Sequence, residues 1–262
     1  MAKEIEILDS SGHKVSGALS IPKNSSLVIV MSHGFTSNRN AKLFLELEKE
    51  FNSEGIGTLR YEYYGHGPAY GHKTRAVSSD ITITKAAESL RAVIRYLRQK
   101  GNYNIGLLGS SFGGLVSLVV ASQDKKIKFL ALKSPVTNPI KFWNERIRGP
   151  KNKILKKWEK NDIFHYNREG EDYTLKWDFW EDMQGYDAIN LAKGISCPTF
   201  IVHGDKDTIV PIKYSKTFAK IIGAKLNVIN GSDHHYSKLK HYLEMKKLIK
   251  CFILNEVKSE FK

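Results

Sequence analysis

Short apolar runs alternate along this chain with longer segments whose apolar residues recur at helical spacing. Residues 5–8 and 14–21 read as two strands joined through Asp9-Ser10-Ser11-Gly12, an antiparallel opening hairpin. Leu27-Val28-Ile29-Val30-Met31-Ser32 is apolar almost throughout, as expected of a strand covered on both faces. It runs out into His33-Gly34-Phe35-Thr36-Ser37. A helix is then predicted from Ala41 to Phe51, with Leu43, Phe44, Leu47 and Phe51 on one face. Residues 57–61 form the next strand, leaving through Glu62-Tyr63-Tyr64-Gly65-His66-Gly67-Pro68. A long helix follows from near Asp80 to about Lys100, striped by Ala86, Leu90, Val93, Ile94 and Leu97 and stopped by Gly101-Asn102.

The run at 104–108 ends abruptly in Gly109-Ser110-Ser111-Phe112-Gly113 and passes into a helical continuation over 115–121. A strand at 127–132 follows. Regularity resumes with a strand at 198–202, a helix at 213–222, a strand at 225–229 and a closing helix over 238–254. Strands alternating with helices predict an α/β fold: a mostly parallel, doubly wound sheet with an antiparallel N-terminal hairpin.

Residues 137–193 break the alternation. They hold all four tryptophans, Trp143, Trp158, Trp177 and Trp180, and have poor strand signals. Basic residues such as Lys151, Lys153, Lys156 and Lys157 crowd the first half, and acids such as Asp172, Asp178, Glu181 and Asp182 the second. The expected organisation is an α/β core in two parts, 1–136 and 194–262, with an inserted cap or lid over 137–193. The opposed charges would fold the cap back on itself. Its tryptophans either fill its own small core or, for at least one, face a substrate.

Composition narrows the function classes. With 262 residues the chain is long enough for a large buried core, and 41% hydrophobic against 26% charged residues is ordinary for a globular protein. The formal charge of +14 is spread over helices as lysine, with no nucleic-acid module or basic-aromatic repeat, so a solvated surface is expected and no nucleic-acid partner. Acids at Glu4 and Glu6 are unlike a signal peptide, and no apolar run is long enough for a transmembrane segment. Cys197 and Cys251 give neither a disulfide framework nor metal-ligand spacing and read as core thiols, so the chain is expected to be cytoplasmic.

The chemistry centres on Ser111. A strand, a sharp Gly-x-Ser-x-Gly turn and a helix lift one serine hydroxyl clear of the backbone, although the motif alone also fits an ordinary turn. A serine hydroxyl needs a base to take its proton, and a histidine in turn needs a carboxylate to fix its tautomer. Loops at later strand ends offer both: Asp205 or Asp207 as acid, and His234 or His235 as base. The order serine, acid, histidine holds for every pairing. His13, His72, His165 and His241 belong to no constellation.

With His33-Gly34-Phe35, Gly65-His66-Gly67, Gly109-Ser110-Ser111-Phe112-Gly113, His203-Gly204-Asp205-Lys206-Asp207 and Gly231-Ser232-Asp233-His234 in view, the chain resembles the α/β-hydrolase superfamily. It is most similar there to small capped esterases, the cinnamoyl/feruloyl esterases and monoacylglycerol-lipase-like enzymes. The resemblance implies a catalytic triad of Ser111, Asp207 and His234. The second carboxylate of His-Gly-x-x-Asp supplies the acid, and Gly-x-Asp-His-x-aromatic, matched by Gly231 to Tyr236, supplies the base. It also implies an oxyanion hole from the backbone N–H groups of Phe35 and Phe112, structural roles for His33, His66, Gly67 and Asp233, no metal or organic cofactor, and a small-molecule ester substrate of small or medium acyl length. The same triad also serves peptidases, amidases, thioesterases and acyl transferases, and a hydrolase fold also serves as a non-catalytic receptor. Oligomeric state is not legible in the residues.

Overall fold

The structure, a computed structural model, describes residues 2–67, 78–147, 150–168 and 171–260; Pro68 and His72 lie outside them. The chain opens with β1 (Lys3–Leu8) and β2 (Lys14–Ser20), then β3 (Leu27–Ser32), α1 (Lys42–Ser53), β4 (Gly57–Tyr61), α2 (Ile83–Lys100), β5 (Asn104–Ser110), α3 (Phe112–Gln123) and β6 (Ile127–Lys133). The irregular stretch follows: α4 (Pro139–Arg146), α5 (Lys151–Asn161), the hairpin β7 (Ile163–Arg168) and β8 (Glu171–Lys176), α6 (Trp177–Gln184) and α7 (Ala188–Gly194). The chain closes with β9 (Thr199–Gly204), α8 (Ile212–Ile222), β10 (Lys225–Ile229) and α9 (Leu239–Glu260).

Eight strands form one sheet in the order β1-β2-β4-β3-β5-β6-β9-β10. The β1·β2 and β2·β4 pairs are antiparallel, and every pair from β4 onward is parallel. Because β3, β5 and β6 are covered on both faces, their residues are buried with little alternation, which is why their sequences read as continuous apolar runs. On one face Leu43, Phe44 and Phe51 of α1 and Met245, Ile249 and Ile253 of α9 pack against Ile29, Met31, Leu108 and Phe200. On the other, α2, α3, α7 and α8 pack against Val28, Val30, Leu107 and Ile201. The chain leaves β3 toward β4 on one side and later returns to β5 on the other. That reversal opens a crevice at the carboxyl ends of β3 and β5, where open α/β sheets hold their sites.

Two expectations are corrected. Ile163–Arg168 and Glu171–Lys176 pair as antiparallel strands where strand signals had looked poor. Only Tyr173 and Leu175 of β8 are buried, so a half-solvated two-stranded ribbon dilutes its apolar pattern with charge. Cys251 is exposed, because α9 turns Ile249 and Ile253 inward and leaves the position between them facing solvent. Cys197 is half-buried, and burial pushes its thiol up to about 11.

Within 137–193 the aromatic residues do separate work. Trp158 stacks on Phe164 at 4.7 Å, meets Trp177 edge-on at 5.6 Å and lies 6.0 Å from Trp180. Its indole N–H donates to the Leu175 carbonyl at 3.1 Å. Trp143 meets Phe179 edge-on at 5.3 Å and Phe142 at 5.9 Å. The last helix of the stretch, α7, packs on α3 and α8 and so is part of the layer covering the sheet. Trp158→Ala removes the centre of the cluster together with its hydrogen bond. The expected cost is about 3–5 kcal/mol, read from denaturant unfolding alongside loss of near-ultraviolet circular dichroism.

Candidate active site

The turn after β5 is forced by close contact. Ser111 sits between strand and helix at φ 54°, ψ −113°, a conformation that side-chain-bearing residues adopt only when their surroundings impose it. Those surroundings are visible. A Cβ on Gly113 would lie 2.1 Å from the Ser32 carbonyl oxygen, and one on Gly109 would lie 2.5 Å from that of Gly113. The two motif glycines therefore let α3 start directly against the ends of β3 and β5. The Ser111 amide donates to the Lys133 carbonyl at 2.9 Å, and the Ser111 carbonyl accepts from Val136 at 3.1 Å. These bonds pin the turn to the end of β6. Ser134, just past the end of β6, and Tyr236, in the loop that carries His234, have positive φ as well.

Three side chains meet there. The Ser111 hydroxyl lies 3.1 Å from Nε2 of His234, and Nδ1 of His234 lies 2.6 Å from Oδ2 of Asp207. The ionised carboxylate only accepts, so Nδ1 carries the proton and Nε2 is left to accept from the serine. All three residues are buried. Asp205 stands elsewhere: its carboxylate accepts from the Gly231 amide and braces the loop that carries His234. His235 is exposed, its ring 5.4 Å from that of His234, and Asp233 accepts from the Ser237 amide at 3.0 Å. Of the competing acids and bases, the structure brings Asp207 and His234 to Ser111.

Asp207 is held by more than one histidine. Nε2 of His203 lies 3.0 Å from Oδ2 of Asp207 and 2.9 Å from the Val210 carbonyl. Both neighbours are acceptors, so Nε2 carries the proton, and Nδ1 accepts from Ser215 at 2.9 Å. Oδ1 of Asp207 accepts from the amides of Ile209 and Val210 at 2.9 and 2.7 Å. Burial opposes ionisation of this carboxyl, but the hydrogen bonds from His203 and His234 outweigh it and hold it far below the usual carboxylate range. His234 moves down to about 4. Burial is the main cause, the Lys133 charge adds to it, and the Asp207 hydrogen bond opposes it. Reasoning from the residues alone leaves His203 and Lys133 without a role. The available signals were a histidine four residues before the acid and a lysine closing the apolar β6 run.

The loop after β3 is anchored from β4's side. Nε2 of His33 lies 3.0 Å from a Glu62 oxygen, and the Tyr63 hydroxyl donates to the His33 carbonyl at 3.2 Å. Nε2 of His66 meets the Phe35 carbonyl, which fixes the peptide on the far side of the Phe35 amide. Phe35 and Phe112 face each other edge-on at 5.3 Å. Among the described residues, neither amide donates to a protein acceptor.

Two cavities meet at Ser111. One, of about 40 Å³, is walled by Phe112, Phe142, Trp143, Phe179 and Ile209, with Arg146 at its edge. The other, of about 310 Å³, is lined by Thr36, Asn38, Lys133, His234 and His235 together with apolar side chains such as Leu43, Phe44 and Met245. Trp143 is thus the tryptophan that shares a cavity lining with the serine.

The sheet order, the crevice at its switch point and the strained serine turn are those of the α/β-hydrolase fold. Within that fold the chain belongs to the family described as serine aminopeptidase, S33 (Hydrolase_4), whose model matches residues 23–171, and it is a hydrolase. Est1E from Butyrivibrio proteoclasticus, solved with ferulic acid bound, is similar over 97% of this chain and 99% of its own, at 26% identity and TM-score 0.80. The rat palmitoyl-protein thioesterase ABHD10, mitochondrial, is 24% identical over 211 residues, covering 79% of this chain and 68% of the relative. A mouse alpha/beta hydrolase domain-containing protein 10 shares the fold at TM-score 0.77 and 21% identity, over 98% of this chain and 99% of its own. No helix among the described residues is long and apolar enough to cross a membrane.

The geometry around His234 makes one titration testable. Its imidazole should stay neutral well below the ordinary value of 6.5 and titrate near pH 4, followed through its ring signals by NMR on the folded protein. A midpoint at the ordinary value would contradict the buried, Lys133-flanked site.

Proposed function

We propose that the protein is a serine hydrolase that cleaves carboxylic esters of small or medium acyl groups through an acyl-enzyme. The reading rests on one observation: the unbroken chain of contacts from Ser111 through His234 to Asp207, at 3.1 and 2.6 Å. The serine oxygen attacks the ester carbonyl while Nε2 of His234 takes its proton. Asp207 holds the tautomer in which Nε2 is free to do so and stabilises the imidazolium that forms. The negative charge gathering on the carbonyl oxygen meets the amides of Phe35 and Phe112, the second at the amino end of α3. His234 then gives its proton to the departing alcohol. Water repeats the sequence on the acyl-enzyme and releases the acid.

The strongly ionised Asp207 suits this scheme, since the imidazolium must be stabilised at the moment it forms. The depressed basicity of His234 keeps it unprotonated and able to accept at neutral pH. The part of 137–193 that precedes α7 acts here as a cap. Trp143 and Phe179 close the apolar cavity beside Ser111, whose about 40 Å³ favours short acyl groups. The rat relative's name favours a second reading, thioester cleavage, because a thiol leaves from the same acyl-enzyme. The family's aminopeptidase description makes small amides the third class to try.

Purified protein should turn over a short-chain p-nitrophenyl ester and react with a fluorophosphonate probe at Ser111. Ser111→Ala should lower kcat/KM by at least about 10³-fold and abolish labelling. Full activity in that variant would remove the serine mechanism. Turnover of aminoacyl amides alone, in a panel with aryl and glyceryl esters and thioesters, would replace the ester reading with a peptidase one.

A further inference from the structure

We propose that the leaving-group side of the Ser111 site accepts an alcohol or thiol bearing negative charge, a carboxylate or a phosphate, held beside Lys133. The inference deepens the serine-hydrolase reading and rests on it.

The two cavities can be told apart by the proton. In the acylation step the bond between the carbonyl carbon and the leaving oxygen or sulfur breaks, and His234 delivers the proton that the leaving atom takes. That atom must therefore come within hydrogen-bonding reach of Nε2. His234 lines the polar cavity of about 310 Å³, whereas the apolar cavity is bordered by Ser111 without it. The acyl group is thereby directed toward Trp143 and Phe179, and the leaving group toward Lys133.

The polar side has a definite charge. Lys133 is only 9% exposed, and its ammonium donates to the His234 carbonyl at 3.0 Å while lying 4.8 Å from the Tyr236 ring centre. Thr36, Ser37 and Asn38 add hydroxyl and amide groups, and His235 stands at the rim. Among the described residues that line this cavity there is no aspartate or glutamate. Lys133 lines this cavity, and a desolvated positive charge in its wall favours an anion and opposes a cation. The formal charge of +14 draws the same class of substrate from solution. Arg146 on the apolar side is otherwise engaged. Its guanidinium lies 4.6 Å over the Phe142 ring and donates to the Ile209 carbonyl, tying α4 to the loop that carries Asp207.

The test holds the acyl group constant and varies only the charge of the leaving group. Butyrate esters of 3-hydroxybenzamide, 3-hydroxybenzoate, 3-hydroxyphenyl phosphate and 3-hydroxyphenyltrimethylammonium serve, with kcat/KM measured for each. One or both anionic esters should exceed the cationic one by roughly tenfold, the scale of one well-placed charge contact, and whichever is faster names the anion. High salt should shrink that ratio. Lys133→Gln should also shrink it, and Lys133→Arg should keep it. The comparison is a ratio, so any general loss from disturbing the His234 loop divides out. If Lys133→Gln does not fold, the salt dependence of the unaltered protein decides. Equal rates across the set, or a preference for the cation, would overturn the inference while leaving the serine mechanism intact. Failure to hydrolyse even the neutral benzamide ester or to react with the fluorophosphonate would instead remove the reading on which it rests.

Discussion

Everything in this site depends on how closely the start of α3 approaches the end of β3. With a Cβ on Gly113 only 2.1 Å from the Ser32 carbonyl, nothing larger than hydrogen fits between the two backbones. That closeness makes Ser111 take its strained turn, because the chain must pass from strand to helix within a single residue. It also brings Phe112 and Phe35, from two different loops, to the same side of the serine. The strain is tolerated because the turn is fixed from several directions, by the carbonyl of Lys133, by the amide of Val136 and by buried strands on both flanks.

The electrostatics follow from a second economy. Asp207 is buried, and a buried carboxylate is costly unless every lone pair is used. Its oxygens are met by His234, His203 and the amides of Ile209 and Val210. The Pro198–Val202 run and the turn after it thus place one donor at the end of β9 and two more in the following loop, all within the reach of one side chain. His203 is consequently as much a part of the acid as the backbone that carries it. Lys133 complements this arrangement from the sheet: it steadies the His234 carbonyl and lowers the imidazole's proton affinity by its charge.

The parts legible in the sequence were those in which local pattern and tertiary role agree. Leu27–Ser32 and Gly57–Tyr61 read as strands because burial on both faces demands apolar residues. Ser111, Asp207 and His234 could be ordered along the chain because each follows a strand, and parallel strands deliver their ends to one edge of the sheet. What could not be read was decided by contacts distant in sequence. Lys133 looks like the polar end of a strand until the His234 loop, 101 residues later, folds over it. The β7–β8 hairpin hides because only alternate residues of β8 meet apolar neighbours. Cys251 was misplaced because an apolar composition does not say which face of a helix a given position occupies.

The tryptophans show why substrate preference lies at the edge of what sequence can reveal. Trp143 and Trp158 belong to the same irregular stretch and are both buried, yet they do opposite things. Trp158 gives its indole N–H to Leu175 and is surrounded by Phe164, Trp177 and Trp180, so it is a centre of packing. Trp143 meets Phe179 and Phe142 and lines the cavity beside Ser111. Composition makes the two equivalent; only the path of α4, drawn down to the Asp207 loop by Arg146 and the Ile209 carbonyl, separates them. Because that same loop carries Asp207, the position of α4 and the placement of Asp207 are mechanically joined, and the wall of the apolar cavity is set by the segment whose carboxylate holds the His234 ring.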